Sequence, residues 1–84
     1  MTDKRTLTLD KLDVGEIAVV SNIQNKNEIY RRLLDLGMIE GTLVECIGKS
    51  AAGDPSAYLV RGAVIAIRAK DAKKIEVLRS RGEG

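Results

Sequence analysis

The stretch Asn27-Glu28-Ile29-Tyr30-Arg31-Arg32-Leu33-Leu34-Asp35-Leu36-Gly37-Met38-Ile39-Glu40-Gly41-Thr42 decides how this chain folds, because it carries one helix and its stop signal. Asn27 is a suitable N-cap, and Glu28 falls in the first turn, where the helix dipole favours a negative charge. Ile29, Leu33 and Leu36 recur at i, i+4 and i+7, and Tyr30 and Leu34 widen the apolar stripe. Gly37 supplies the left-handed residue that closes a helix, with Met38 placed to fold back on Leu33 as in a Schellman cap. A helix over 27–36 is too short to persist alone in water, so it must dock on other elements.

Those elements are strands. Upstream, Ile17, Val19 and Ile23 share one side at period two, which predicts a strand over 16–23. Before it, Leu7, Leu9 and Leu12 surround Asp10, which suits the cap of a single helical turn. Downstream, residues 42–47 alternate, with Val44 and Cys46 on one side and Leu43, Glu45 and Ile47 on the other. Gly48 to Pro55 is a loop of small and polar residues, and 56–60 is a short strand. Arg61-Gly62 reads as the tight turn of a hairpin returning through 63–68, with Ala63, Ile65 and Ile67 aligned. Asp71-Ala72-Lys73-Lys74 suits one helical turn before a last strand over 75–78. Five strands, turn signals between them and one short helix inserted after the first strand predict a mainly β fold, a small five-stranded SH3-like barrel. Closure of such a sheet removes exposed edges. Residues 1–6 and the charged tail 79–84 are expected to be disordered.

Composition bounds the chemistry. In 84 residues there is room for one small domain, and 44% hydrophobic with 31% charged residues is the balance of a soluble globular chain. There is no His and one Cys, so imidazole chemistry, a zinc ribbon and an internal disulfide are all excluded. The net charge is +2, unevenly spread: residues 1–42 hold six basic and seven acidic groups, residues 43–84 eight and five. No apolar run approaches signal-peptide or membrane-span length, so a cytoplasmic chain is expected.

Candidate chemistries fall away in turn. Asp10, Asp13 and Glu16 are ordinary turn residues, and no base stands ready for a Ser or Cys nucleophile. Gly48-Lys49-Ser50 resembles the end of a P-loop, but the required upstream glycine falls on Leu43. Glu45 and Cys46 point to opposite faces of a strand, so they cannot converge on a metal. Cys46 itself reads as a small buried hydrophobe. Peptide capture by an aromatic groove and base stacking both lack side chains, since Tyr30 and Tyr58 are the only aromatics. No catalytic, metal or cofactor residues are expected. Arg61, Arg68, Lys70, Lys73 and Lys74 form a basic second half, the basis of an alternative reading as a nucleic-acid-binding barrel. Protein–protein recognition is what elimination leaves.

The run Arg31-Arg32-Leu33-Leu34-Asp35-Leu36-Gly37-Met38-Ile39-Glu40-Gly41-Thr42 also resembles the central motif of the FeoA family, small cytoplasmic companions of the bacterial ferrous iron transporter FeoB. The resemblance continues through Val44-Glu45, Gly53-Asp54-Pro55, Val60-Arg61-Gly62, Ala66-Ile67-Arg68, Asp71-Ala72 and Ile75-Glu76-Val77, and covers residues 7–78 as one domain. It implies an SH3-like barrel with an accessory or regulatory role in ferrous iron uptake, exercised by binding FeoB on its cytoplasmic side, with no enzyme activity. Similar domains end metal-dependent repressors of the DtxR type; with few residues ahead of the barrel, a stand-alone FeoA-like domain is expected here. An iron-carrier role is opposed by the ligand shortage. Candidate partner contacts follow from exposure and reach: Lys49, Asp54 and Pro55 in the mobile loop, Met38 and Ile39 as an apolar patch after the helix, and Arg31 and Arg61 as partners for carboxylates.

Overall fold

Alternating apolar residues organise six strands into one antiparallel sheet. A computed structural model describes residues 6–24 and 28–79. The strands are β1 (Thr6–Thr8), β2 (Ile17–Ile23), β3 (Leu43–Lys49), β4 (Ser56–Val60), β5 (Ala63–Ile67) and β6 (Ile75–Arg79). Helix α1 (Glu28–Asp35) follows β2, helix α2 (Ala69–Ala72) joins β5 to β6, and a 3-10 turn (Leu9–Lys11) follows β1. The order across the sheet is β1-β6-β2-β3-β4-β5, so β1 and β5 are the two edges and the barrel stays open between them.

The SH3-like architecture agrees with the sequence reading, with a sixth strand added. Thr6–Thr8 is too short for its alternation to register, and it becomes a strand by pairing with residues 76–78 at the far end of the chain. Strand pairing also reaches Arg79, opposite Ala18, one residue into the stretch expected to be tail. The remaining terminal residues and the Asn27 cap lie outside the described residues.

The core is formed by Leu9, Leu12, Ala18, Val20, Ile23, Leu33, Met38, Val44, Cys46, Tyr58, Val60, Ile67, Ala72, Ile75 and Val77. In β2 the buried face differs from the predicted one. Val20 pairs with Val77 and Asn22 with Glu76, so Ser21 is an extra residue that shifts the register. Ala18 and Val20 therefore face inward on one side of the bulge and Ile23 on the other, while Ile17 is exposed. In β3 the predicted alternation holds as far as Cys46, and a second register shift follows between Cys46 and Gly48. The phenol of Tyr58 crosses the core and donates to the Leu9 carbonyl at 3.3 Å. Burial pushes its pKa above the ordinary 10.0.

Candidate interaction site

The end of α1 is built as its residues require. Gly37 has φ +88, its N–H donates to the Leu34 carbonyl at 2.9 Å, and the Met38 N–H donates to Leu33 at 2.8 Å. Those are the two bonds of a Schellman motif, and Met38 and Leu33 meet in the core as its hydrophobic clasp. Thr42 then locks the connection. Its hydroxyl donates to the Gly37 carbonyl and accepts from the Ile39 N–H, both at 3.2 Å. Gly41 N–H bonds the Val20 carbonyl at 2.8 Å, which stitches the connection to β2.

The β4–β5 hairpin comes to meet this structure. Arg61 and Gly62 have φ of 50 and 86, both left-handed, as a two-residue type I′ turn demands. The Arg61 side chain lies across Gly37: a Cβ there would stand 2.7 Å from Arg61 Cδ and 3.3 Å from Nε. The guanidinium thus sits beside the C-terminal end of α1, where the helix dipole favours a cation. Ile39, Glu40, Gly41, Thr42, Leu43 and Arg61 enclose a shallow hollow of about 430 Å³.

This geometry sorts the residues expected from sequence. Ile39 (45% exposed) and Arg61 come together in the hollow. Met38 does not, because it is fully buried, and the patch expected after the helix is Ile39 alone. The cause is the cap itself, whose C″ residue must fold inward. Arg31 stands exposed on α1. Lys49 belongs to β3, paired with Ser56, and so is not loop. Lys49, Asp54 and Pro55 lie at the opposite end of β4 from Arg61, about 15 Å of strand away. The intervening turn is also better tied than predicted: Gly53 N–H bonds the Ser50 carbonyl at 2.8 Å, and Asp54 N–H bonds Ser50 Oγ at 2.9 Å. The Asp54 carboxylate is engaged within the fold, accepting the Ala69 N–H at the start of α2 at 2.8 Å.

Sequence reasoning passed over the outer face of the sheet. Ile17, Glu45, Leu59 and Val64 form one row across β2, β3, β4 and β5, and Leu43 stands beside Val19 in the next. Leu43 and Val64 are 59% and 66% exposed. The signal was present: β3 carries Leu43 and Ile47 on the side opposite Val44 and Cys46, so both of its faces are apolar. The basic second half is divided. Arg68, Lys70 and Lys74 line one groove, whereas Arg61 lies beyond the other end of β5. Among the described residues no three His, Cys, Asp or Glu side chains gather closely enough to hold a metal ion. No helix among them is long and apolar enough to cross a membrane.

Fold and site together define a small domain of SH3-like architecture, an open antiparallel sheet with an ordered helix end and exposed apolar positions. Residues 7–79 match the FeoA domain, and the chain belongs to the FeoA family. The solution structure of the FeoA protein from Chlorobium tepidum is similar at TM-score 0.86 and 27% identity, covering 93% of this chain and 74% of that one. FeoA from Stenotrophomonas maltophilia, crystallised with zinc and described as an SH3 domain protein, matches at TM-score 0.76 and 32% identity over 84% of this chain and 88% of that one. A fusion of Fe(2+) transport protein A with the Fe(2+) transporter FeoB in Porphyromonas gingivalis is 27% identical over 71 residues, 84% of this chain. The chain spans 8% of that fusion's length.

Proposed function

We propose that this chain is an accessory protein of ferrous iron uptake that binds a FeoB transporter on its cytoplasmic side. The observation that carries the reading is the Porphyromonas gingivalis fusion, in which a region similar to this chain and FeoB share one polypeptide. Covalent linkage gives two domains a high effective concentration for each other, and such linkage serves domains that work in contact. The hollow at the end of α1 supplies an apolar contact in Ile39 and Leu43 and a charged one in Arg61, the mixture found where a transient partner docks. Arg31, Lys49 and Pro55 are further exposed contacts for a partner that wraps beyond the hollow. The role is regulatory, without catalysis by this chain.

The test is binding of the purified protein to detergent-solubilised FeoB from the same organism, with and without guanine nucleotide. Saturable binding supports the accessory role, and nucleotide dependence ties it to the GTPase cycle. Absence of binding in every nucleotide state, with the domain shown to be folded, overturns it.

A further inference from the structure

Strand β5 ends the sheet, and its outer edge is unpaired among the described residues. The two-residue turn makes Val60 and Ala63 a hydrogen-bonded pair, and alternation makes Tyr58–Ile65 and Ser56–Ile67 the next ones. The main-chain N–H and C=O groups of Val64 and Ala66 therefore point away from β4. Two usual protections of an edge, a charge and a proline, are missing from β5, which reads Ala63-Val64-Ile65-Ala66-Ile67.

The edge opens on a groove of about 400 Å³ between β5 and α1. Leu36 forms its apolar wall on the helix side, with the buried Leu33 behind it. Leu36 belongs to the predicted core stripe of the helix, yet it is exposed and lines this groove instead. Arg32 stands on the same wall, and Arg68, Lys70 and Lys74 surround the far end, against one carboxylate, Asp71. None of these four cations has an ion-pair partner among the described residues, where the ion pair present is Glu16–Arg79. An unpaired strand edge, an apolar wall and a cationic rim thus coincide at one place.

We propose that this groove takes an extended acidic peptide segment of a protein partner, which adds to β5 as a seventh strand. Its main chain pairs with Val64 and Ala66, an apolar side chain rests on Leu36, and its carboxylates meet Arg32, Arg68, Lys70 and Lys74. Charge complementarity selects this occupant. A second copy on the same edge would bring like-charged rims together; of this chain's own ends, 1–5 is net basic (Lys4 and Arg5 against Asp3), and 80–84 offers a single acidic side chain, Glu83, offset by Arg81. The groove shares no lining residue with the hollow at Arg61, so the proposal does not rest on the FeoB reading.

The experiment titrates the isotopically labelled full chain with a blocked hexapeptide of alternating Glu and Val, followed by amide NMR. Expected are saturable shifts centred on the Val64 and Ala66 amides. Binding should weaken about tenfold in the R68E/K70E variant, whose fold is checked by circular dichroism. A peptide N-methylated at every residue should not bind, because neither of its edges keeps an N–H to pair with β5. Equal binding of the N-methylated peptide or of a short single-stranded oligonucleotide would reduce the groove to a general polyanion site and overturn the proposal. Absence of saturable shifts, or peptide-free dimerisation through β5 in sedimentation, would overturn it as well.

Discussion

Arg61 lies directly over Gly37, so the tip of one hairpin rests on the residue that ends the helix. Gly37 serves twice, supplying positive φ for the cap and leaving the space in which the Arg61 stem runs. Gly37→Ala should therefore cost about 1–2 kcal/mol from backbone strain and additionally displace Arg61. In Arg61→Ala the second effect disappears. A double-mutant cycle read by urea denaturation should show a smaller penalty for Gly37→Ala in the Arg61→Ala background. Strict additivity would mean that Arg61 does not rest on the cap.

Adjacent residues Met38 and Ile39 should behave oppositely. Met38→Asp places a carboxylate in the core without a partner and should abolish cooperative thermal unfolding. Ile39→Asp, on an exposed side chain, should leave the circular dichroism spectrum and melting temperature nearly unchanged and weaken FeoB binding. Intact binding by Ile39→Asp together with Arg61→Glu would remove the hollow from the interface.

Glu16 accepts from Arg79 Nε at 2.6 Å and from the Asp13 N–H at 2.9 Å. The Arg79 hydrogen bond foremost, and the Asp13 bond after it, hold the Glu16 carboxyl below its ordinary 4.5. A carboxylate whose folded pKa is depressed contributes stability above its unfolded pKa and loses it as pH falls through the folded value. Glu16→Gln should thus lower the melting temperature slightly at neutral pH and by progressively less as pH drops below 4.5. A deficit independent of pH would show that the ion pair contributes nothing through charge.

Tyr58 gives the mirror dependence at alkaline pH. Its buried phenol is held above 10.0, so the unfolded chain ionises first and stability falls as pH rises through that value. Tyr58→Phe should cost about 1 kcal/mol at neutral pH, through the bond lost to the Leu9 carbonyl. It should also flatten the alkaline decline of the denaturation midpoint.

Asp54 is a structural residue before it is a contact. Replacing it with Ala frees the Ala69 N–H and should destabilise the fold by about 1 kcal/mol. Amide exchange should quicken first around Ala69–Ala72.

Short-range chemistry alone determined a good deal of this protein. The helix stop at Gly37, the clasp of Met38 on Leu33, the Arg61-Gly62 hairpin and the alternation of β3 all act within a few residues of chain. Each is legible because the partners lie next to one another in the sequence. The family motif belongs to the same class, being made largely of these local stops and turns.

Tertiary structure decided whatever depends on a partner far along the chain. The bulge at Ser21 exists because β2 must match β6, and it moves burial from Ile17 and Val19 to Ala18 and Val20. β1 is a strand only because residues 76–78 complete its hydrogen bonds. Asp54 is recruited to α2, Arg61 is laid over Gly37, and Leu36 is left at the lip of a groove rather than in the core. Periodicity says which side chains share a face. Which face is covered depends on what the fold brings against it, and in this chain those covering residues are tens of positions away.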